Sequence, residues 1–274
     1  MAEKLNFELD VNKIIAAKLP RLYSKIPPFI IRYLKKILHQ DELNEIIRLN
    51  RNNRGVDFMR GVVNYFGLNF ELFGLDELPM DKTMIFASNH PLGGLDGICL
   101  STVIGEHYNH KIKYLVNDLL LNIDNLKEIF IPINKYGRQS RESSKLITEA
   151  FLSDNQIITF PAGLCSRKTK GEICDLDWGK MLIQKSIEFQ RDVVPVYFDG
   201  RNSNFFYRLA NIRKALGIKF NYEMLYLSDE MFKNRGKTFQ IYFGKPIPWQ
   251  TFGNSKSPKE WAEFVKGVSS NLKK

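Results

Sequence analysis

Asn89-His90-Pro91-Leu92-Gly93-Gly94-Leu95-Asp96-Gly97 follows the short apolar run Met84-Ile85-Phe86-Ala87 and precedes Ile98-Cys99-Leu100-Ser101-Thr102-Val103-Ile104. The first run predicts a buried strand and the last the start of a buried helix. The nonapeptide then sits at the carboxyl end of a strand, where open α/β sheets keep their active sites. Gly93, Gly94 and Gly97 permit turns that a Cβ would forbid, so His90 and Asp96 can meet within one tight loop. A neutral imidazole takes a proton from a hydroxyl, and a carboxylate beside it fixes the tautomer and stabilises the imidazolium. Backbone N–H groups for an oxyanion are expected from either the Gly93-Gly94 turn or the loop that follows Phe160.

Outward from this loop, strand-like runs at 83–88, 112–117, 129–133, 156–160, 192–198, 221–226 and 238–244 alternate with helical patterns at 141–153, 178–190 and 205–216. A last helix at 257–272 opens on Ser257-Pro258, a cap followed by a first-turn proline. The alternation predicts an α/β fold with a mixed, largely parallel central sheet covered by helices. Residues 1–67 are expected to form an N-terminal amphipathic helical region and 68–274 the α/β domain.

Residues 11–40 carry Lys13, Lys18, Arg21, Lys25, Arg32, Lys35 and Lys36 and no acid, interleaved with Leu19, Leu22, Phe29, Ile30 and other apolar residues. Pro20 and Pro27-Pro28 divide this stretch into short helical pieces. Such a pattern suits helices lying in a bilayer interface, or equally an appendage packed on the domain with solvated lysines. Residues 202–220 repeat the theme with Arg208, Arg213, Lys214 and Lys219 among aromatics. Basic residues between aromatics also suit single-stranded nucleic acid, but no nucleic-acid-binding signature accompanies them and that partner is not expected.

The net charge of +10 and pI near 9.4 point to an acidic partner, such as an anionic membrane surface or a phosphate-bearing donor. Cys99, Cys165 and Cys174 lack paired metal-site spacing and read as reduced thiols. Glu106-His107-Tyr108-Asn109-His110 has no further ligands nearby, so no metal is expected. No secretory signal is apparent, and no apolar run is long enough to span a bilayer, so membrane contact is expected to be peripheral.

A G-x-S-x-G nucleophile elbow is absent. A base without a protein nucleophile predicts direct attack by a hydroxyl or amine of the substrate. Phe130 to Arg138 and Phe160 to Lys168 are two strand-to-loop transitions ending in cations, and both are expected at the same end of the sheet as His90. Arg138, Arg167 and Lys168 are candidates to bind an acidic group of substrate or donor. Val193-Val194-Pro195-Val196 reads as core that could border a substrate channel.

These stretches, in this order, resemble the four blocks of the glycerolipid and lysophospholipid acyltransferase superfamily. Asn89-His90 through Asp96 resembles the first block, Phe130 to Arg138 the second, Phe160 to Ser166 the third and Val193 to Val196 the fourth. The resemblance implies an α/β enzyme in which His90 is the general base, Asp96 its orienting partner, and a membrane-borne hydroxyl the acceptor of an acyl group from a thioester. It carries Asn89, Gly163 and Ser166 into the substrate site. Two departures are visible. The family usually places four residues between His and Asp, whereas five separate His90 from Asp96. This His-Pro-x-Gly-Gly form is similar to a bacterial hemolysin-like or lyso-aminolipid acyltransferase subgroup. The third block usually reads Glu-Gly-Thr-Arg, and here it is Ala162-Gly163-Leu164-Cys165.

The expected protein is a peripheral O-acyltransferase at the cytoplasmic face of the inner membrane. Acyl-CoA or acyl carrier protein would serve as co-substrate, with no further cofactor. Its acceptor would be a lyso-ornithine or lyso-glycine lipid, or lysophosphatidic acid. The competing reading is a non-catalytic basic membrane- or nucleic-acid-binding protein on a degenerate acyltransferase scaffold.

Overall fold

The computed structural model describes residues 8–117, 123–133 and 141–273. The chain opens with short helices α1 (Val11–Lys18), α2 (Pro20–Tyr23) and α3 (Pro28–Ile37), followed by α4 (Gln40–Leu49) and α5 (Gly55–Phe66). Pro20 and Pro28 stand in the first turns of α2 and α3, where a missing N–H costs nothing. The prolines therefore start these helices rather than interrupt one.

The α/β body follows: β1 (Asn69–Phe73), β2 (Ile85–Ser88), α6 (Leu95–His107), β3 (Ile112–Asn117), β4 (Phe130–Ile133), α7 (Arg141–Leu152) and β5 (Gln156–Thr159). Then come β6 (Arg167–Thr169), β7 (Glu172–Cys174), α8 (Met181–Phe189), β8 (Val193–Asp199), α9 (Asn204–Ala215), α10 (Leu227–Phe232), β9 (Thr238–Phe243) and α11 (Pro258–Ser270). The main sheet has the order β1-β9-β8-β2-β5-β3-β4. Strands β8, β2, β5, β3 and β4 run parallel, while β9 is antiparallel to β8 and β1 is parallel to β9. The sheet is thus mixed and largely parallel, as the alternation of patterns predicts.

Side chains on β2 alternate between two cores. Phe86 joins Val56, Leu100 and Ile104 beneath α5 and α6, whereas Ile85 and Ala87 join Trp178, Ile183 and Val265 beneath α8 and α11. A strand covered on both faces must be apolar throughout, which explains the unbroken run before Asn89. Helix α5 belongs to this body, since Phe58, Met59, Val62 and Val63 share the core of α6.

Two local expectations change. Residues 221–226 do not form a strand; Tyr222–Tyr226 is a short 3-10 helix that buries Glu223. The stretch after the third block folds into the β6–β7 hairpin, turned by Lys170 and Gly171, both with positive φ. That pairing matches the two-residue turn whose twist suits a hairpin. Among the described residues no helix is long and apolar enough to cross a membrane.

Candidate active site

β2 ends at Ser88 and α6 begins at Leu95, so the intervening loop carries His90 to the sheet's carboxyl end and sets Asp96 in the helix's first turn. His90 Nδ1 lies 3.0 Å from Asp96 Oδ2. The same carboxylate accepts the N–H groups of Leu92 at 2.9 Å, Gly94 at 3.1 Å and Gly97 at 2.9 Å. Asp96 is fully buried, and burial alone would raise its pKa. The facing His90, with the hydrogen bonds from His90, Leu92 and Gly97, instead holds it below its ordinary value. The helix N-terminus also favours its negative charge. A carboxylate accepting from Nδ1–H leaves Nε2 as the unprotonated nitrogen, free to act as a base.

Gly93 has φ +74, and a Cβ there would come within 3.0 Å of both Cys165 Cβ and Leu227 Cδ1. The first-block turn therefore packs directly on the third-block loop, and only glycine fits the contact. The Gly94 N–H is engaged by Asp96. Ser166 N–H donates to the His90 carbonyl at 2.8 Å, and Gly163, with φ +67, donates its N–H to Phe160 O at 2.9 Å. The Phe160 ring lies against His90, tilted by 32°, with centroids 4.1 Å apart.

The Asn89 side chain faces the sheet: its Nδ2 donates to Phe198 O at 3.0 Å, and its Oδ1 accepts Phe198 N–H at 2.7 Å. Arg167 donates Nη1 to the Cys165 carbonyl at 2.8 Å and Nη2 to Glu223 Oε1 at 3.2 Å. Arg213 pairs with the other Glu223 oxygen at 2.8 Å. Glu223 is fully buried, so Arg167 meets a carboxylate of its own chain beside the site. Arg138 lies outside the described residues, as do Asn134 to Gly137. β2, β5 and β8 run in one direction, so the segments after them leave the sheet at one end. Val193, Val194 and Val196 are wholly buried in the core of β8. Burial also pushes the Cys165 thiol up, outweighing the opposing pull of Arg167, so this cysteine is kept protonated.

Sequence reasoning missed Asp175, just past β7. Its Oδ1 accepts the His90 N–H at 3.1 Å and the Ser166 hydroxyl at 2.6 Å, and its Oδ2 accepts Trp178 Nε1–H at 3.0 Å. Burial pushes its pKa up against the hydrogen bonds from Ser166, Trp178 and the His90 N–H. Asn202, which donates Nδ2 to Pro91 O at 3.2 Å, also went unsuspected. Among the described residues no group of three or more His, Cys, Asp or Glu is arranged to hold a metal.

A buried carboxylate orients a histidine at the mouth of a parallel sheet, and among the described residues no serine hydroxyl or reactive thiol bonds to its ring, an arrangement for acyl transfer to a substrate hydroxyl. The family model for acyltransferases matches residues 13–274, and the chain belongs to this acyltransferase family. It is 53% identical over 268 residues to the lyso-glycine lipid O-acyltransferase of Bacteroides thetaiotaomicron, an alignment covering 98% of each chain. It is 54% identical over 268 residues to the lyso-glycine lipid O-acyltransferase of Phocaeicola vulgatus, covering 98% of this chain and 96% of that one. The fold is similar to the crystal structure of the 1-acyl-sn-glycerophosphate (LPA) acyltransferase PlsC from Thermotoga maritima. That likeness has a TM-score of 0.50 at 16% identity, over 96% of this chain and 93% of the other.

Proposed function

We propose that this acyltransferase moves a fatty acyl group from acyl-CoA or acyl carrier protein to the hydroxyl of a lyso-glycine lipid, docked on the cytoplasmic face of the inner membrane. The observation that carries the chemistry is the Asp96–His90 hydrogen bond, since a neutral ring that gives Nδ1–H to the carboxylate presents Nε2 as its base. Nε2 takes the acceptor's hydroxyl proton as its oxygen attacks the thioester carbonyl. The C–O bond forms, the C–S bond breaks, and the imidazolium returns its proton to the departing thiolate. The reaction needs no further cofactor and no metal. The acceptor is named by the two relatives, each matched over nearly its whole length.

Docking is supported by the exposed apolar residues Leu22 and Phe29 on the N-terminal helices and Leu216 and Phe220 at and beyond the end of α9, all amid Lys and Arg. Tyr226 links α3 to the start of α9: its hydroxyl lies 2.6 Å from that of Tyr33, and its ring packs edge-on against Phe205. α9 begins two residues after Asn202, which holds Pro91, so the start of α9 adjoins the His90 loop. A lipid acceptor could then present its hydroxyl without leaving the bilayer.

The test is reconstitution of purified protein with lyso-glycine lipid and either thioester. Wild type is expected to yield the diacylated lipid, and His90→Ala to lose at least about 100-fold in rate while keeping its circular dichroism. Wild-type protein inert with both donors, or His90→Ala retaining full rate, overturns the reading.

A further inference from the structure

We propose that Asp175 is a positioning residue for acyl transfer, clamping the His90 main chain to the third-block serine so that the imidazole keeps one aim. The inference rests on the functional reading above. The peptide of His90 is gripped at both ends by one segment: Asp175 accepts its N–H and Ser166 N–H donates to its C=O. The Ser166 hydroxyl closes the ring by donating to the same Asp175 oxygen that holds the His90 N–H. Both carboxylate oxygens are used, because Oδ2 takes the indole N–H of Trp178.

Trp178 is wholly buried, and both its main-chain groups are tied to α11. Its N–H donates to Glu263 Oε1 at 2.6 Å, and its carbonyl accepts from Lys259 Nζ at 2.9 Å. A rigid chain therefore runs from α11 through Trp178 and Asp175 to the base. Asp96 controls the ring by its Nδ1, while Asp175 controls the backbone from which the ring hangs. The two carboxylates are not redundant. An error of about 1 Å in a catalytic group can cost about 100-fold in rate, which is the scale of effect such a clamp should have.

The experiment compares Asp175→Ala and Asp175→Asn with wild type, measuring kcat and the KM for acyl-CoA at a temperature where each keeps its native near-ultraviolet circular dichroism. Amide hydrogen exchange of the peptide carrying His90 is followed in parallel without substrate. Asp175→Ala is expected to lower kcat by about 100-fold with KM changed less than about threefold, and to speed exchange at His90. Asparagine keeps an oxygen for the His90 N–H and the Ser166 hydroxyl but turns an N–H₂ toward the indole. It should recover a large part of the lost kcat and of the exchange protection. A folded alanine variant with wild-type kcat and exchange overturns the proposal. So does a change confined to KM, or an asparagine variant no better than alanine. If neither variant folds, Asp175 serves stability alone, and the proposal fails in that case too. Inactive wild-type protein would refute the functional reading instead, and the exchange measurement would still decide whether the clamp exists.

Discussion

Asn89 pairs with Phe198 as a strand residue would, although it lies one position beyond β2: its carboxamide both gives to the Phe198 carbonyl and takes from the Phe198 N–H. A side chain thus continues the β2–β8 ladder at the point where the main chain must leave the sheet to place His90. Replacing Asn89 with Asp puts an oxygen against the Phe198 carbonyl. We expect Asn89→Asp to cost about 1–3 kcal/mol, measured by urea unfolding, and to slow acyl transfer through the adjacent His90. Stability equal to wild type would show that the ladder does not depend on this amide.

Gly97 and Gly94 flank Asp96 but face different surroundings. A Cβ on Gly97 would lie 2.4 Å from the hydroxyl of buried Tyr114, whereas one on Gly94 would meet nothing within 4 Å. Gly94 also has φ −177, extended backbone open to any residue. Gly97→Ala is expected to cost about 1–3 kcal/mol by overpacking and to tilt the first turn of α6, lowering kcat. Gly94→Ala should change stability by about 0.5 kcal/mol or less. Thermal melts of the two variants check the contrast.

Acid stability should carry the mark of Asp96. Its folded pKa lies below the ordinary 3.8, so the unfolded chain takes up a proton that the folded chain resists. The stability this supplies is complete above that ordinary value and is lost as pH falls through the folded pKa. Asp175, raised by burial, acts with the opposite sign and favours the folded state as pH falls from its raised value toward 3.8. Glu42 and Asp229, held low by partners that outweigh their partial burial, share the behaviour of Asp96. Asp96→Asn should therefore show a shallower, though not flat, fall of unfolding free energy below about pH 4 than wild type. Parallel slopes would remove Asp96 from the acid response.

Vesicle binding tests the docking face. Phe29 and Phe220 are each 67% exposed, so Phe29→Asp/Phe220→Asp should leave the fold intact. Burying each ring in a bilayer is worth about 2 kcal/mol, so losing both should weaken sedimentation with phosphatidylglycerol vesicles by about 100-fold or more. Binding by wild type should fall with added salt, because each basic residue near the surface contributes about 1 kcal/mol. Failure of wild type to sediment at moderate salt would exclude the docking role.

Local sequence made the strand, loop and helix around His90 legible, because a buried strand is apolar throughout and glycines mark the turn. That the sheet is largely parallel followed from the alternation of patterns, whereas the order of its strands did not. Partners far apart in the chain were invisible. Asp175 reaches His90 across 85 positions and Glu223 reaches Arg167 across 56, and nothing in Asp175-Leu176-Asp177-Trp178 or Asn221-Tyr222-Glu223 announces either contact. Tyr222 to Tyr226 read as a strand because its aromatic content suits one, but a carboxylate held between two arginines outweighs that preference. The hairpin at Lys170-Gly171 left only its glycine as a signal, because Arg167-Lys168-Thr169 and Glu172-Ile173-Cys174 are too short to show a strand pattern.

Because Asp96 belongs to the first turn of α6 while His90 belongs to the loop before it, the number of residues between them measures only how far the loop bulges. Gly93, in its left-handed conformation, lets the five-residue interval close on the His90–Asp96 hydrogen bond. The contact therefore does not require an interval of four residues. A search pattern that demands four intervening residues would pass over this chain, and one written around the strand end and the helix start would find it.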